Sequence, residues 1–401
     1  MPLHIVVRRI LKPAAIAALA AVALGAVPLV YLAVQRSKEV TLPTPAGAHS
    51  VGRLITTWTD ESRRENLGGT PGEHRTLSVW IWYPAEHNGS TVPYMPSDWA
   101  RAREADRGIG SLLFQALGSI HGHATDAQPT SQGGPFPVLV FEPGLGPLIP
   151  EYTTLAEDLA SRGYVVIGLN PTYSASITVL AGHVIKQSAL GAIPEVANPE
   201  QTQQRGDALV EVWAADDRFA IDQATRMNRD PGSPFAGRLD VDHIGLLGHS
   251  FGGAAALEAC RLDPRCTAAA DLDGWPYGAV VRSRLDRPVL LMSSEPGTDA
   301  GAPAAMKADR DLAAILAGAP EAYQVSIKGA RHFSFTDSAV GFSPAERLIG
   351  VFGSIDGVRG LRITSEYLAA FFDQTLKGQA SPLLQGTSRD YPEVQFTAHR
   401  P

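Results

Sequence analysis

The chain has 401 residues, 44% of them apolar, and its 34 Lys and Arg side chains against 41 Asp and Glu give a net charge of −7. The apolar content excludes an intrinsically disordered chain, and two cysteines are too few for a small disulfide-stabilised domain. The acidic balance argues against nucleic acid as a partner, because a surface that binds phosphates needs an excess of basic side chains.

The first element along the chain is a long apolar segment with basic flanks. Residues 1–38 contain five Lys or Arg and no acid, so they carry +5 and the rest of the chain carries −12. Residues 13–34 lack any charge, and a helix of that length crosses a hydrocarbon core of about 30 Å. The pattern favours a membrane anchor, residues 1–38, with the remainder of the protein outside the cytoplasm.

Three other interpretations of this segment stay open. A cleaved signal peptide has a shorter apolar core, and cleavage would leave a secreted or periplasmic protein. The pair Arg8 and Arg9 resembles the start of a twin-arginine signal. A buried core helix is the third interpretation, although such a helix normally has a polar face.

After a Pro- and Gly-rich linker, residues 39–52, the pattern predicts one domain over residues 53–401. Its apolar runs are mostly continuous, as in strands that helices cover on both faces. The predicted strands are residues 76–83, 137–141, 164–169, 243–247, 267–272, 288–292 and 323–327. The predicted helices are residues 152–162, 201–228, 252–261, 306–318 and 364–377. An α/β fold with a mostly parallel central sheet follows.

Two stretches do not fit this alternation. Residues 92–135 and 171–200 are therefore predicted as insertions. Insertions on such a sheet gather near the ends of its strands, where ligands bind.

Residues 248–252 read Gly-His-Ser-Phe-Gly, the G-x-S-x-G spacing of a nucleophile elbow. A predicted strand leads into this run and a predicted helix leads out of it, which places Ser250 on a sharp turn. A Cβ atom at position 248 or 252 would clash with the neighbouring strand or helix. At the helix N-terminus, free N–H groups favour a developing oxyanion.

A serine nucleophile needs a base, and in folds with this elbow the acid and then the histidine follow the serine. Two histidines, His332 and His399, lie downstream of it. His399 is two residues from the chain end, whereas His332 follows a predicted strand. We therefore predict His332 as the base.

Three acids lie near strand ends between the serine and this histidine: Asp271, Asp273 and Glu295. Each could accept the Nδ1 proton of the imidazole. Strand alternation puts Asp271 and Asp273 on one face, and Asp273 is nearer the C-terminal end, where active groups gather. Position thus favours Asp273, with Glu295 as its main rival.

An oxyanion hole of this kind uses two backbone N–H groups, one from the residue after the nucleophile and one from an earlier loop. Phe251 supplies the first. The strand at residues 137–141 ends in Glu-Pro-Gly-Leu-Gly, where two glycines allow close approach and Leu145 is predicted to supply the second.

Further segments share their order and spacing with a known family across roughly residues 50–390. They are residues 144–146, 158–161, 244–253, 272–275, 294–295 and 327–332. These segments resemble the plasma-type platelet-activating-factor acetylhydrolases of the α/β-hydrolase fold. The resemblance implies that the acid is Asp273, in the Leu-Asp-x-Trp segment, and that Leu145 and Phe251 are the oxyanion donors. It also implies hydrolysis of short or oxidised acyl chains from phospholipids without a metal.

One departure concerns substrate entry: residues 142–144 read Glu-Pro-Gly where the plasma enzymes have Ser-His-Gly. We therefore expect a serine ester hydrolase that acts on small-molecule or lipid esters through an acyl-enzyme, with Trp275 lining its pocket. A broad carboxylesterase or polyesterase with the same triad is the alternative. A catalytically inactive hydrolase fold that binds partners in the cell envelope is an alternative of another class.

Two smaller features complete the sequence. Cys260 and Cys266 are either a disulfide at the end of the elbow helix or two buried thiols. His121 and His123 are too few for a metal site, so we predict an exposed loop there. Neither a metal nor another cofactor is predicted.

Overall fold

We describe a computed structural model of the chain over residues 30–399, apart from residues 32, 131, 195–197, 297–302 and 341–349. The predicted membrane segment, residues 13–34, lies mostly outside the described residues and stays a prediction. Among the residues that are described, none of the helices has the length and apolar character that crossing a membrane requires.

Thirteen strands and six α-helices are present in the described part of the chain. The strands are β1 (Val40–Thr41), β2 (Ser50–Arg64), β3 (His74–Ala85), β4 (Ile120–His121), β5 (Phe136–Glu142), β6 (Val165–Asn170), β7 (Ile177–Leu180), β8 (His183–Lys186), β9 (Leu239–His249), β10 (Cys266–Leu272), β11 (Val289–Ser294), β12 (Ala322–Ile327) and β13 (Val394–His399). The helices are α1 (Ser97–Arg107), α2 (Thr153–Ser161), α3 (Pro199–Arg229), α4 (Phe251–Leu262), α5 (Pro303–Gly318) and α6 (Gly357–Lys377).

Nine strands form the central sheet in the order β13-β12-β11-β10-β9-β5-β6-β3-β2. The six strands from β12 to β6 run parallel, and antiparallel strands flank them at both edges. One core lies between the sheet and helices α2 and α6, and a second lies between the sheet and helices α3, α4 and α5. The predicted α/β fold, with a mostly parallel sheet covered on both faces, is confirmed.

The parallel arrangement brings the site together, because the carboxyl ends of parallel strands meet at one edge of a sheet. Strands β5, β9, β10 and β12 are followed by the loops that contain Leu145, Ser250, Asp273 and His332 respectively. The fold thus delivers four distant parts of the sequence to one place.

The segment predicted as a linker, residues 39–52, packs on the domain instead. Its strand β1 pairs with β4, and β2 already begins at Ser50. The side chains of Leu42 and Val51 are buried, and the Gly47 N–H donates to Ser161 Oγ at 2.9 Å. Apolar residues among the prolines and glycines therefore make this stretch part of the fold.

Both predicted insertions lie beside the loop that follows β5. The first contains α1, whose Arg103 forms an ion pair with Glu151 at 2.9 Å. The second contains β7 and β8, and its Ser176 N–H donates to the Gly146 carbonyl at 2.8 Å. Each insertion thus contacts the region around the predicted oxyanion donor.

The two cysteines form a disulfide that joins the end of α4 to the start of β10. Their Cα atoms are 5.1 Å apart, and both residues are buried. The pairing that the sequence leaves open is therefore present in the structure.

Candidate active site

Ser250 occupies a sharp turn between β9 and α4, with φ 56° and ψ −121°. A Cβ atom added to Gly248 would lie 2.1 Å from the Gly252 carbonyl carbon, and one added to Gly252 would lie 2.3 Å from the Pro143 oxygen. Neither distance is compatible with a side chain, so both positions require glycine as predicted. The Ser250 N–H donates to the Leu272 carbonyl at 2.8 Å, which attaches the turn to β10.

The structure brings the three predicted catalytic side chains into one hydrogen-bonded row. Ser250 Oγ lies 3.0 Å from His332 Nε2, and His332 Nδ1 lies 2.8 Å from Asp273 Oδ2. A carboxylate only accepts, so Nδ1 carries the proton and Nε2 is left to accept from the serine hydroxyl. This tautomer is the one that a general base needs.

Asp273 lies just beyond the end of β10, with a left-handed backbone of φ 57°. Its N–H donates to the Met292 carbonyl at 2.7 Å, and its carboxylate accepts the Ser294 N–H at 2.7 Å and the Ser294 hydroxyl at 3.0 Å. Burial opposes ionisation, but the hydrogen bond and charge of His332 and the bond from Ser294 hold the pKa of Asp273 below its ordinary value. Asp273 is therefore an ionised partner for the imidazole.

The other two acids have different neighbours. Asp271 is buried, and its Oδ1 lies against Gly253, where an added Cβ would be 1.8 Å away. Glu295 Oε2 accepts the Gly329 N–H at 3.1 Å. Position along the strands left these acids as candidates, and the left-handed backbone after β10 is what directs Asp273 toward the base.

The predicted oxyanion donors border the serine. Gly144 is close enough that an added Cβ would lie 3.3 Å from Ser250 Cβ, and Leu145 follows it in the loop. The Phe251 ring packs edge-on against Trp213 at 4.9 Å, which holds the start of α4. The N–H groups of Leu145 and Phe251 donate to no other described residue. They are thus available to a substrate oxygen.

A cavity of about 620 Å³ opens in front of these side chains, a volume typical of small-molecule sites. Its wall contains Ser250, Asp273 and His332 and extends along the ends of β11 and β12 to α5. Trp275 also lines the cavity, with 39% of its surface exposed. Within the described residues, no group of three His, Cys, Asp or Glu side chains could hold a metal ion.

Asp337 anchors the loop that contains His332 to the start of α2. The Asp337 carboxylate accepts the N–H groups of Thr153 and Thr154, at 2.8 and 3.0 Å, at the start of α2. It also accepts the Tyr94 hydroxyl at 3.1 Å. Burial raises the pKa of Asp337 to about 7 despite these hydrogen bonds. The anchor connects the base to the first insertion, which contains Tyr94.

Two buried residues beside the triad have no counterpart in the predictions from sequence. Tyr152 and His249 are both 0% exposed, and their side chains are 2.8 Å apart between Oη and Nδ1. Burial, and then the nearby His332, lower the pKa of His249 to about 3, so this ring is neutral. His249 occupies a variable position of G-x-S-x-G, so the motif contains no signal for its role.

A buried acid directly precedes the loop that contains Gly144 and Leu145, which we call the oxyanion loop. Glu142, the last residue of β5, is 0% exposed, and neither of its carboxylate oxygens has a hydrogen-bond partner in the described structure. Burial, and then the neighbouring Asp217, raise the pKa of Glu142 well above its ordinary value. The buried, unpartnered carboxyl group of Glu142 thus favours the protonated, neutral form.

Comparison with known proteins adds a family and a fold. A family model described as platelet-activating factor acetylhydrolase, isoform II, matches residues 34–193 and 228–385. The chain is 27% identical to a probable 1-alkyl-2-acetylglycerophosphocholine esterase of Arthroderma benhamiae, over 88% of this chain and 93% of that one. It is 24% identical to a platelet-activating factor acetylhydrolase of Cavia porcellus, over 84% and 78%.

A solved structure resembles the whole domain. The ferulic acid esterase from Streptomyces cinnamoneus superposes with a TM-score of 0.74 at 30% sequence identity. The alignment covers 89% of this chain and 99% of the esterase. The α/β-hydrolase fold is thereby assigned to the chain.

The buried Glu142 predicts a specific dependence of stability on pH. Between the ordinary pKa of a glutamate and the raised value, the unfolded chain loses this proton and the folded chain keeps it, so rising pH favours unfolding. Glu142→Gln removes the ionisation. We expect the melting temperature of Glu142→Gln minus that of the wild type, both measured by circular dichroism, to be larger at pH 8 than at pH 5.

Glu211→Gln is the matched control, since Glu211 is exposed on α3 and forms no ion pair among the described residues. We expect this variant to show the same difference from the wild type at both pH values. An equal difference at the two pH values for Glu142→Gln would contradict the assignment of a neutral Glu142.

Proposed function

The chain belongs to the platelet-activating factor acetylhydrolase, isoform II, family and is a carboxylic ester hydrolase, and we propose that it works through a Ser250–His332–Asp273 triad and an acyl-enzyme. The observation that supports this most strongly is the row from Ser250 Oγ to His332 and on to Asp273, with distances of 3.0 and 2.8 Å. An inactive hydrolase fold has no need to keep all three groups aligned.

In the proposed acylation step, Ser250 Oγ attacks the ester carbonyl carbon and its proton passes to His332 Nε2. Asp273 stabilises the resulting imidazolium. The N–H groups of Leu145 and Phe251 bind the oxyanion of the tetrahedral intermediate. The intermediate then expels the alcohol, which takes the proton from Nε2, and the acyl group stays on Ser250.

Deacylation repeats these roles with water as the nucleophile and Ser250 as the leaving group. His332 Nε2 removes a proton from the water while its oxygen attacks the acyl carbonyl, and the same two N–H groups bind the second oxyanion. Collapse returns the proton to Ser250 Oγ and releases the carboxylic acid.

For the substrate, we infer esters of short acyl chains, including those of phospholipids. The family description and the relative named 1-alkyl-2-acetylglycerophosphocholine esterase support this class. Phe251, next to the nucleophile, is buried, and Trp213 and Tyr277 pack against its ring at 4.9 and 5.4 Å, which leaves little room for a long acyl chain on that side. The cavity lined by His332 and Trp275 then accommodates the leaving group.

A broad carboxylesterase is the second candidate. The solved structure described as a ferulic acid esterase, at 30% identity, supports activity on esters of aromatic acids. The half-exposed Trp275 in the cavity wall offers an aromatic surface to such a substrate.

For location, we infer that residues 1–38 tether the domain to the membrane or export it. The +5 charge and apolar run of this segment support the inference. The disulfide between Cys260 and Cys266 supports an oxidising compartment outside the cytoplasm.

Ser250→Ala tests the nucleophile. We expect kcat/KM on p-nitrophenyl acetate to fall by at least about 10⁴-fold, because losing a triad serine removes the covalent route. Labelling by a fluorophosphonate should disappear as well. Ser283→Ala, which alters an exposed serine, should retain both activity and labelling. Hydrolysis that survived Ser250→Ala at the wild-type rate would exclude the mechanism.

A substrate panel separates the two candidate specificities. On p-nitrophenyl esters with acyl chains of two to eight carbons, we expect kcat/KM to be highest for the shortest and to fall at least tenfold by the longest. A 1-alkyl-2-acetyl phosphatidylcholine analogue should be hydrolysed with a higher kcat/KM than methyl ferulate. The reverse order for these last two would establish the broad carboxylesterase in its place.

A further inference from the structure

We propose that Tyr152 and His249 are positioning residues that join the oxyanion loop to the backbone of the base through one directional hydrogen-bond chain. This inference rests on the proposed function, because it assigns a role to two residues within the same site. Neither side chain lines the cavity in front of Ser250, and both act through the backbone of neighbouring residues.

The chain of contacts is continuous over four residues. The Gly144 N–H donates to Tyr152 Oη at 3.0 Å, and Tyr152 Oη lies 2.8 Å from His249 Nδ1. His249 Nε2 lies 2.9 Å from the His332 carbonyl oxygen. Both bridging side chains are fully buried, so these hydrogen bonds have no competing solvent.

The direction of each bond follows from the chemistry of the groups. A carbonyl oxygen only accepts, so His249 Nε2 must carry a hydrogen. The buried ring is neutral and has a single N–H, so its Nδ1 must accept from the Tyr152 hydroxyl. The tyrosine oxygen is then free to accept the Gly144 N–H. No other arrangement satisfies all four groups.

At one end, the chain orients the loop that supplies an oxyanion donor. The Gly144 N–H is directed toward Tyr152 and away from the substrate, which fixes the residue immediately before Leu145. Leu145 lies on the next peptide unit. Its N–H therefore depends on the Tyr152 hydroxyl for its direction.

At the other end, the chain holds the backbone from which the catalytic imidazole projects. The His249 and His332 ring centroids are 4.6 Å apart, and the Phe335 ring also packs against His249, at 5.8 Å. A shift of the His332 carbonyl would move Nε2 relative to Ser250 Oγ. An error of about 1 Å in such an alignment lowers the rate by about 100-fold.

Loss of the hydrogen bonds through Tyr152 and His249 should therefore weaken stabilisation of the transition state more than it weakens substrate binding. Tyr152→Phe leaves the Gly144 N–H and His249 Nδ1 without partners in a dry interior, so both ends are free to shift. We expect kcat on p-nitrophenyl acetate to fall by about 10- to 100-fold, with KM within about twofold of the wild type.

Tyr367→Phe is the matched control, because Tyr367 is equally buried and its hydroxyl makes no hydrogen bond in the described structure. It should leave kcat within twofold of the wild type. His249→Leu should lower kcat at least as far as Tyr152→Phe does. His249→Gln keeps a donor for the His332 carbonyl, so its kcat should be at least fivefold higher than that of His249→Leu.

The readouts distinguish positioning from stability and from failure of the triad itself. Melting temperatures of all variants identify any loss due to unfolding. If Ser250→Ala is inactive while Tyr152→Phe keeps its kcat within twofold, the positioning role is refuted and the triad stands. If Ser250→Ala is active, the proposed triad itself is refuted, and the positioning role is refuted with it.

A measurement on the unaltered full chain covers the case in which these variants do not fold. With ¹⁵N-histidine labelling, the His249 resonances, assigned by their absence in His249→Gln or by contact with the Tyr152 hydroxyl proton, should show a neutral ring protonated at Nε2 at pH 7. A ring protonated at Nδ1, or at both nitrogens, would overturn the proposed direction of the chain.

Discussion

No space exists for a Cβ atom where the end of β9 passes the start of α4, and this backbone contact fixes the position of Ser250. Gly248 lies against Gly252, and Gly252 lies against the Pro143 oxygen. The same contact therefore holds the loop after β5 against the turn. Nucleophile and oxyanion loop form one rigid unit, with the strained φ of Ser250 maintained by its surroundings.

The buried acids around this unit differ in charge because they differ in hydrogen bonding. Asp273 receives the Ser294 N–H and the His332 ring, and these groups outweigh its burial. Asp271 and Glu142 are also buried. Oδ1 of Asp271 and both carboxylate oxygens of Glu142 lack a partner in the described structure, and burial raises the pKa of both side chains. The surroundings thus favour the ionised form of the carboxylate where the imidazolium forms and the neutral form of the two carboxyl groups behind it.

The sequence pattern predicts the parallel part of the fold well, because continuous apolar runs mark its strands. The predicted helix at residues 252–261 is observed as Phe251–Leu262, and the predicted strand at 323–327 is observed as Ala322–Ile327. The edge strands Ser50–Arg64 and Val394–His399 escape this signal, because polar residues lie between their apolar ones and neither strand is a continuous apolar run.

The candidate site is predictable to the extent that a motif or chain order encodes it. Ser250 and His332 follow from such rules, and strand position together with the Leu-Asp-x-Trp segment favours Asp273. The left-handed backbone that directs Asp273 toward the base is visible only in the fold. Tyr152 and His249 belong to no motif, and only the folded chain brings them between Gly144 and His332.

The proposed mechanism requires that the acyl group pass through a covalent ester on Ser250. Mixing the full chain with p-nitrophenyl acetate, quenching in acid during the first turnover and mapping the peptides by mass spectrometry detects such an ester. We expect one acetyl group per chain, located on the peptide that contains Ser250. Rapid release of p-nitrophenol with no acetylated peptide, or with the acetyl group on another residue, would contradict it.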